Sequence, residues 1–246
     1  MAKRWSPPVL AAEAFRARRS AVREETLRRS RYIKTGALEA LAGPDLRLLF
    51  ELYDGLFFSH QLRQRLESSG CPIYFEASRR MTSAGANIGI RGAKTAHRQY
   101  RIAVSAAVLF ASFRSEGETC SVNGVTCLDR LQSLLILMEH ELVHLYEMLE
   151  RGASGHGASF QRIARDLFGH TDYRHALVTP RQRASRTFDL HIDDLVTFDF
   201  EGRQETGRIT RISKRATVVP APGSELAFLK FYVPLEALTK ILERAE

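Results

Sequence analysis

Apolar and polar positions change rhythm several times along this chain, and each change predicts an element. After Pro7 and Pro8, residues 9 to 31 are rich in Ala, Arg, Glu and Leu and contain no Gly or Pro, so an exposed, basic N-terminal helix is expected. In GPDLRLLFELYDGLFF, Pro44 suits a first helical turn, and Leu46, Leu49, Phe50, Tyr53 and Phe57 share one face. A second helix should therefore open the core. PIYFEAS, MTSAGANIGIRG and QYRIAVSAAVLF are rich in β-branched or aromatic residues and separated by polar or glycine-containing turns, which predicts three short antiparallel strands.

Residues 115 to 127 read as a loop around Gly117 and Gly124. LDRLQSLLILMEHELVHLYEMLER then runs without a breaker to Gly152, apolar on most sides at its centre, as a long buried helix would. SGHGASFQRIARDLFGH reads as a glycine-rich turn into an amphipathic helix with Phe160, Ile163, Ala164 and Leu167 inward. From about residue 188, LVTFDF, GRITRI, ATVVP and FLKFYVP follow one another at hairpin-like spacing, closed by a short helix around LEALTKILER. TPRQRASRT, just before them, is polar and basic with no apolar period, and reads as a linker.

The predicted fold is thus α+β. A basic helical arm (1–35) precedes a core of helices and a small three-stranded antiparallel sheet (36–178). A linker (179–187) leads to a small β-rich, SH3-like domain that should close into a barrel (188–246). Within 246 residues, a hydrophobic share of 44% suits a globular protein. No apolar run approaches the roughly 20 residues that cross a bilayer, and the first residues lack the apolar core of a secretory signal. No membrane partner is expected, and the default address is the cytoplasm, or the nucleoid if the chain binds DNA. Cys71, Cys120 and Cys127 form no C-x-x-C pair and read as reduced thiols, with a weak metal clip at Cys120 and Cys127 as the alternative.

A formal charge of +8 points to anionic partners, nucleic acid first. Lys3, Arg4, Arg16, Arg18, Arg19, Arg23, Arg28, Arg29, Arg31 and Lys34 crowd the first segment against Glu13, Glu24 and Glu25. That segment is either a phosphate-contacting element or a solvated charged helix. GRITRISKR, with Arg208, Arg211, Lys214 and Arg215, is a second basic stretch that DNA could contact.

The chemistry is concentrated in MEHELVHLYEML. Four residues apart on a helix, His140 and His144 share a face, their Cβ atoms about 5–6 Å apart, as two ligands of one zinc ion require. Glu141 projects beside them, where it could hold a water molecule and take its proton. This is the H-E-x-x-H arrangement of zinc peptidases. The competing reading is a buried helix with two hydrogen-bonded histidines and a chance glutamate. Burying three ionisable groups among Leu135, Ile136, Leu137, Leu142, Val143 and Leu145 is costly without a partner, and a metal supplies one. A third ligand is sought downstream among His156, His170, His175 and Asp172. His156 comes first, because Gly155 and Gly157 free the backbone to fold it back. In FGHTDYRHAL, His170 could cap a helix or support a ligand, Asp172 could orient an imidazole and Tyr173 could steady an oxyanion.

HELVH, GHGASF with its H-G-x-x-F pattern, and more loosely LFELYDGLFF and RRMTSAG together resemble the SprT-like zinc metalloproteases over about residues 44 to 178. The resemblance implies a zincin-like core and one zinc ion held by His140, His144 and His156, with Glu141 as general base. It also implies that the strand around Thr82, Ser83, Ala84 and Gly85 lines the cleft and pairs with an extended protein substrate. The expected function is a zinc-dependent endopeptidase acting on protein substrates, DNA-associated or DNA-crosslinked proteins among them. The alternative is a DNA-binding or chromosome-associated module whose zinc is structural. Many members carry a cysteine-rich zinc ribbon after the protease region. No cysteine follows Cys127 here, so DNA contacts would fall to the arm or to GRITRISKR.

Overall fold

A computed structural model describes residues 6–92, 98–114 and 117–241. Lys3 and Arg4 of the basic segment, and the end of LEALTKILER from residue 242, lie outside the described residues. The chain is α+β and divides into two compact units, Met1–Leu177 and Val178–Glu246.

The first unit begins with α1 (Ala12–Arg29), α2 (Gly43–Phe58) and α3 (Gln61–Ser68). Helix α1 is not the exposed arm that its composition suggests. Val22 and Thr26 are fully buried, and Arg19, Arg23 and Arg18 reach Glu139, Asp129 and the Leu56 carbonyl. Three of its arginines are spent on internal partners, which is why a helix of low hydrophobicity still packs. Helix α2 starts at the expected proline, where the Asp45 carboxylate accepts from the Ala42 N–H and the Ser30 hydroxyl. Near its end the Asp54 carboxylate accepts from the N–H groups of Leu62 and Arg63, capping α3.

Strands β1 (Ile73–Ser78), β2 (Ala86–Arg91) and β3 (Gln99–Ser105) form one sheet in the order β1-β3-β2. It is mixed rather than antiparallel: β3 runs parallel to β1 and antiparallel to β2. The reason is visible in β3, where Tyr100, Ile102, Ala103, Val104 and Ser105 are buried, so this strand takes the middle and leaves β1 and β2 at the edges. Helix α4 (Ala106–Ala111) follows directly, capped by the Ser105 hydroxyl.

The expected loop at 115–127 holds a hairpin, β4 (Cys120–Val122) and β5 (Val125–Cys127). Its two turn residues, Asn123 and Gly124, have φ of 52° and 77°, the left-handed pair of a type I′ turn. Helix α5 (Arg130–Arg151) is capped by Asp129, stops at Gly152 with φ 77°, and runs buried from Leu131 to Glu147 with Gln132 the main exception. Helix α6 (Ala158–Phe168) buries Phe160, Ile163, Ala164 and Leu167 as its pattern requires.

In the second unit the expected linker is a helix, α7 (Pro180–Phe188). Thr179 caps it, Gln182 returns the bond and Pro180 fills the first turn, so a capping box overrides the lack of apolar period. Strands β6 (Leu195–Phe200), β7 (Arg203–Ile212), β8 (Ala216–Pro220), β9 (Phe231–Val233) and β10 (Thr239–Lys240) form one antiparallel sheet ordered β10-β6-β7-β8-β9. Among the described residues β9 and β10 remain its edges, so the barrel does not close; strands of three and two residues offer too few bonds to join them. LEALTKILER supplies a 3-10 turn, Leu235–Ala237, and then β10 rather than a helix. Ala184, Leu190, Val196, Phe198, Ile209 and Val218 make this unit's own core.

Candidate metal centre

His140 and His144 come from consecutive turns of α5, and His156 returns from the turn after Gly152. Their Nε2 atoms form a nearly equilateral triangle with sides of 3.0, 3.1 and 3.1 Å. Imidazole nitrogens about 2.0–2.1 Å from a tetrahedral zinc ion lie roughly 3.3 Å apart, so the rings would shift by only tenths of an ångström to hold one. Among the described residues this is the one cluster of three or more His, Cys, Asp or Glu side chains with metal-ligand spacing.

Proton placement supports the same donor set. The Ser154 hydroxyl donates to the Glu147 carboxylate at 2.7 Å, which uses its single proton. The 2.8 Å contact between Ser154 Oγ and His144 Nδ1 must then carry the histidine's proton, leaving Nε2 of His144 as a bare lone pair aimed at the other two rings. Burial, reinforced by the neighbouring histidines, lowers the pKa of His140 to about 2 and that of His144 to about 4, so both are neutral at pH 7, the state a metal would need. His140 Nδ1 is buried with no hydrogen-bond partner among the described residues. A cation between the three Nε2 atoms would give those converging nitrogens a common partner. The cluster can thus hold a metal ion.

Phe160 is the floor of the site, its ring centroid 4.8, 4.3 and 5.1 Å from those of His140, His144 and His156. In HGASF the turn into α6 and its first residues bring this ring under the histidine four positions earlier. Gln161 donates to the His156 carbonyl at 2.7 Å, and Tyr173 stacks on the outer face of His156 at 4.8 Å and 16°. His156 is exposed while His140 and His144 are buried, so the triangle opens to solvent on one side.

Glu141 lies outside the histidine triangle, buried against β2, where the Ile88 N–H donates to it. Burial raises its pKa to about 8, against the pull of that N–H group. Thr82, Ser83, Ala84 and Gly85 form the approach to β2 rather than a strand. Gly85 is pinned there by its N–H to His175 Nε2 at 2.9 Å, and a Cβ on it would meet Leu137 at 2.9 Å.

Other candidates go elsewhere. His170 is buried and bonds Glu139 at 2.8 Å, and Asp172 is exposed and accepts from the Tyr173 N–H in its own turn. Of the arginines, Arg19 and Arg23 form internal ion pairs, Arg28 pairs with Glu25, Arg18 bonds the Leu56 carbonyl and Arg208 the Asp193 carbonyl. Arg16, Arg29 and Arg31 on the first unit, and Arg211, Lys214 and Arg215 around the β7–β8 turn, remain exposed without an ion pair among the described residues.

Sequence reasoning missed four residues. Glu147 and Ser154 orient His144, and both look like ordinary polar positions before the turn is known. Glu139, beside His140, anchors a buried network with Arg19, Tyr53 and His170. Its helical phase, two residues before Glu141 and so on the opposite side of α5, is the signal that separated it from the site. Gln161 is the fourth. No protein-family model matches the chain, and neither a curated protein nor a solved structure matches it.

Proposed function

We propose that the chain is a zinc-dependent endopeptidase with a zincin-like core, in which His140, His144 and His156 hold one zinc ion and Glu141 is the general base. The observation that carries this reading is the Nε2 triangle, with a glutamate next to one ligand and outside the ligand set. No fourth His, Cys, Asp or Glu joins the group among the described residues, which favours a catalytic site over a closed structural one.

When bound, zinc supplies Lewis acidity toward a peptide carbonyl and acidifies water. Glu141 accepts a proton at its carboxylate and returns it to the leaving amine. A nearby divalent charge favours the ionised carboxylate, so loading the site also readies the base. Tyr173, held by its stack on His156, is the candidate donor to the developing oxyanion. Ser154 and Glu147 keep His144 in its ligand tautomer. A cleft of about 580 Å³ between α2, α3 and β1 contains none of these residues, and the exposed His156 favours a substrate chain lying across the surface. The resemblance to SprT-like proteases adds DNA-associated proteins as the substrate class.

The test is cleavage of an unfolded protein by the purified chain, with DNA and chelator varied separately, beside Glu141→Gln. Zinc should bind the variant in a one-to-one ratio while cleavage disappears. Undiminished cleavage by Glu141→Gln, or by chelator-treated protein, would refute the mechanism. The exposed Arg211, Lys214 and Arg215 favour a second reading, a DNA-associated module with structural zinc. Salt-sensitive DNA binding without any cleavage would select it.

A further inference from the structure

We propose that Cys120 and Cys127 are a reversible disulfide site that staples the β4–β5 hairpin and stiffens the segment it grips. The two residues are register partners at the open end of that hairpin. Hydrogen-bonded antiparallel partners have Cα atoms about 5.5 Å apart, inside the span of roughly 4.4–6.8 Å that a disulfide bridges. Cys120 Sγ lies 3.6 Å from the Ser133 hydroxyl, and the Cys127 thiol donates to the Val125 carbonyl at 3.6 Å. Cys120 is half-buried and reachable by a small oxidant, whereas Cys127 is fully buried behind it. The neighbouring Cys127 thiol holds the Cys120 thiol below its ordinary pKa, and with its greater exposure this marks Cys120 as the attacking sulfur.

With hydrogen peroxide as oxidant, the Cys120 thiolate attacks one peroxide oxygen and the other leaves as hydroxide, which takes a proton to become water. Cys127 sulfur then attacks the Cys120 sulfenic sulfur, and the hydroxyl departs with the thiol proton as a second water molecule. Two thiols and one peroxide thus give one disulfide and two waters, with the peroxide accepting two electrons. A dithiol reverses the change.

The hairpin grips the chain after α6. Asn123 donates to the Arg174 carbonyl at 2.7 Å and accepts from the N–H groups of Thr171 and Asp172, while Ser121 accepts from Ala176 at 2.7 Å. That segment carries Tyr173 against His156 and His175 against Gly85. Any consequence for metal binding rests on the reading of the histidine cluster; the disulfide itself does not.

The experiment treats the full chain with hydrogen peroxide, alkylates it, and follows it by peptide mass spectrometry and amide hydrogen exchange. The expected result is a linked pair of peptides lacking two hydrogens, with slower exchange at Asn123, Thr171, Asp172 and Ala176, all reversed by dithiothreitol. Cys120→Ser, at the half-buried position, should abolish both changes. Full alkylation of both thiols after peroxide, oxygen addition at Cys120, or linkage to Cys71 would overturn the site. A disulfide that leaves exchange unchanged would overturn the staple. Neither readout uses peptidase activity, so an inactive chain would not disturb the test.

Discussion

Replacing Arg19 by Met separates a helix that builds the core from an arm that reaches for DNA. Arg19 places Nε and Nη2 2.7 Å from the two Glu139 oxygens and also donates to the Phe168 carbonyl, with its side chain 13% exposed and that of Glu139 at 0%. Tyr53 and His170 complete the carboxylate's shell. Burial raises the Glu139 pKa, but Arg19 and His170 outweigh it and hold the group below its ordinary value, so the charge persists in the core. Removing one member of a buried pair strands the other, at a cost of about 3–5 kcal/mol. At about 2–4 °C per kcal/mol for a domain of this size, Arg19→Met should lower the melting temperature of the first unit by about 6–20 °C. Far-ultraviolet dichroism suits the assay, because most helices belong to that unit. Adding Glu139→Gln to Arg19→Met removes the stranded charge, so the double variant should be more stable than the sum of the two singles by at least about 1 kcal/mol. An Arg19→Met protein as stable as the original but weaker in DNA binding would refute this account.

Further expectations concern the turn, the metal shell and acid. Gly124→Ala must accept φ of 77° and a Cβ 1.9 Å from the Thr171 hydroxyl oxygen, so it should cost more than about 1 kcal/mol in urea unfolding; a neutral effect would contradict the I′ turn. Ser154→Ala removes the acceptor for His144 Nδ1–H and should weaken zinc binding about 10–100-fold in competition with a chromogenic chelator, leaving stoichiometry unchanged. In metal-free protein, His140 and His144 titrate far below their ordinary 6.5, so as pH falls the unfolded chain takes up protons first. Stability is therefore present above pH 6.5 and lost as pH falls toward about 4. His144→Ala should flatten that part of the urea midpoint profile, and an unchanged profile would show that the histidines are not buried neutral.

Much of this arrangement was legible in the sequence wherever one short motif carries its own geometry. HELVH fixes two histidines on one face, Gly152 ends the helix, and HGASF brings the third histidine back over Phe160. Partners far apart in sequence were not legible. Arg19 lies 120 residues from Glu139, and nothing in a run of arginines says which one turns inward. The middle position of β3 was written in its burial, but PIYFEAS, ANIGIR and QYRIAVS are too alike as apolar runs to reveal their order. The type I′ hairpin and the helix after Thr179 had local signals, Asn-Gly and a Thr-Pro-x-Gln capping box. They were outweighed by the glycine and polar content around them.

Helix α5 places two glutamates two residues apart in surroundings that drive them to opposite charge states. Glu139 meets a guanidinium, a phenol and an imidazole, and ionises below its ordinary pKa. Glu141 is buried with one backbone N–H donating to it, and burial raises its pKa to about 8. Both oxygens of the first group are taken by Arg19, Tyr53 and His170, so it could accept a proton only at the expense of that network. The second is held neutral by burial, and a divalent charge held among the three histidines would favour its ionised form. Had the Arg19 charge reached the other side of α5, Glu141 would be ionised and paired as Glu139 is, and the two carboxylates of this helix would share one charge state.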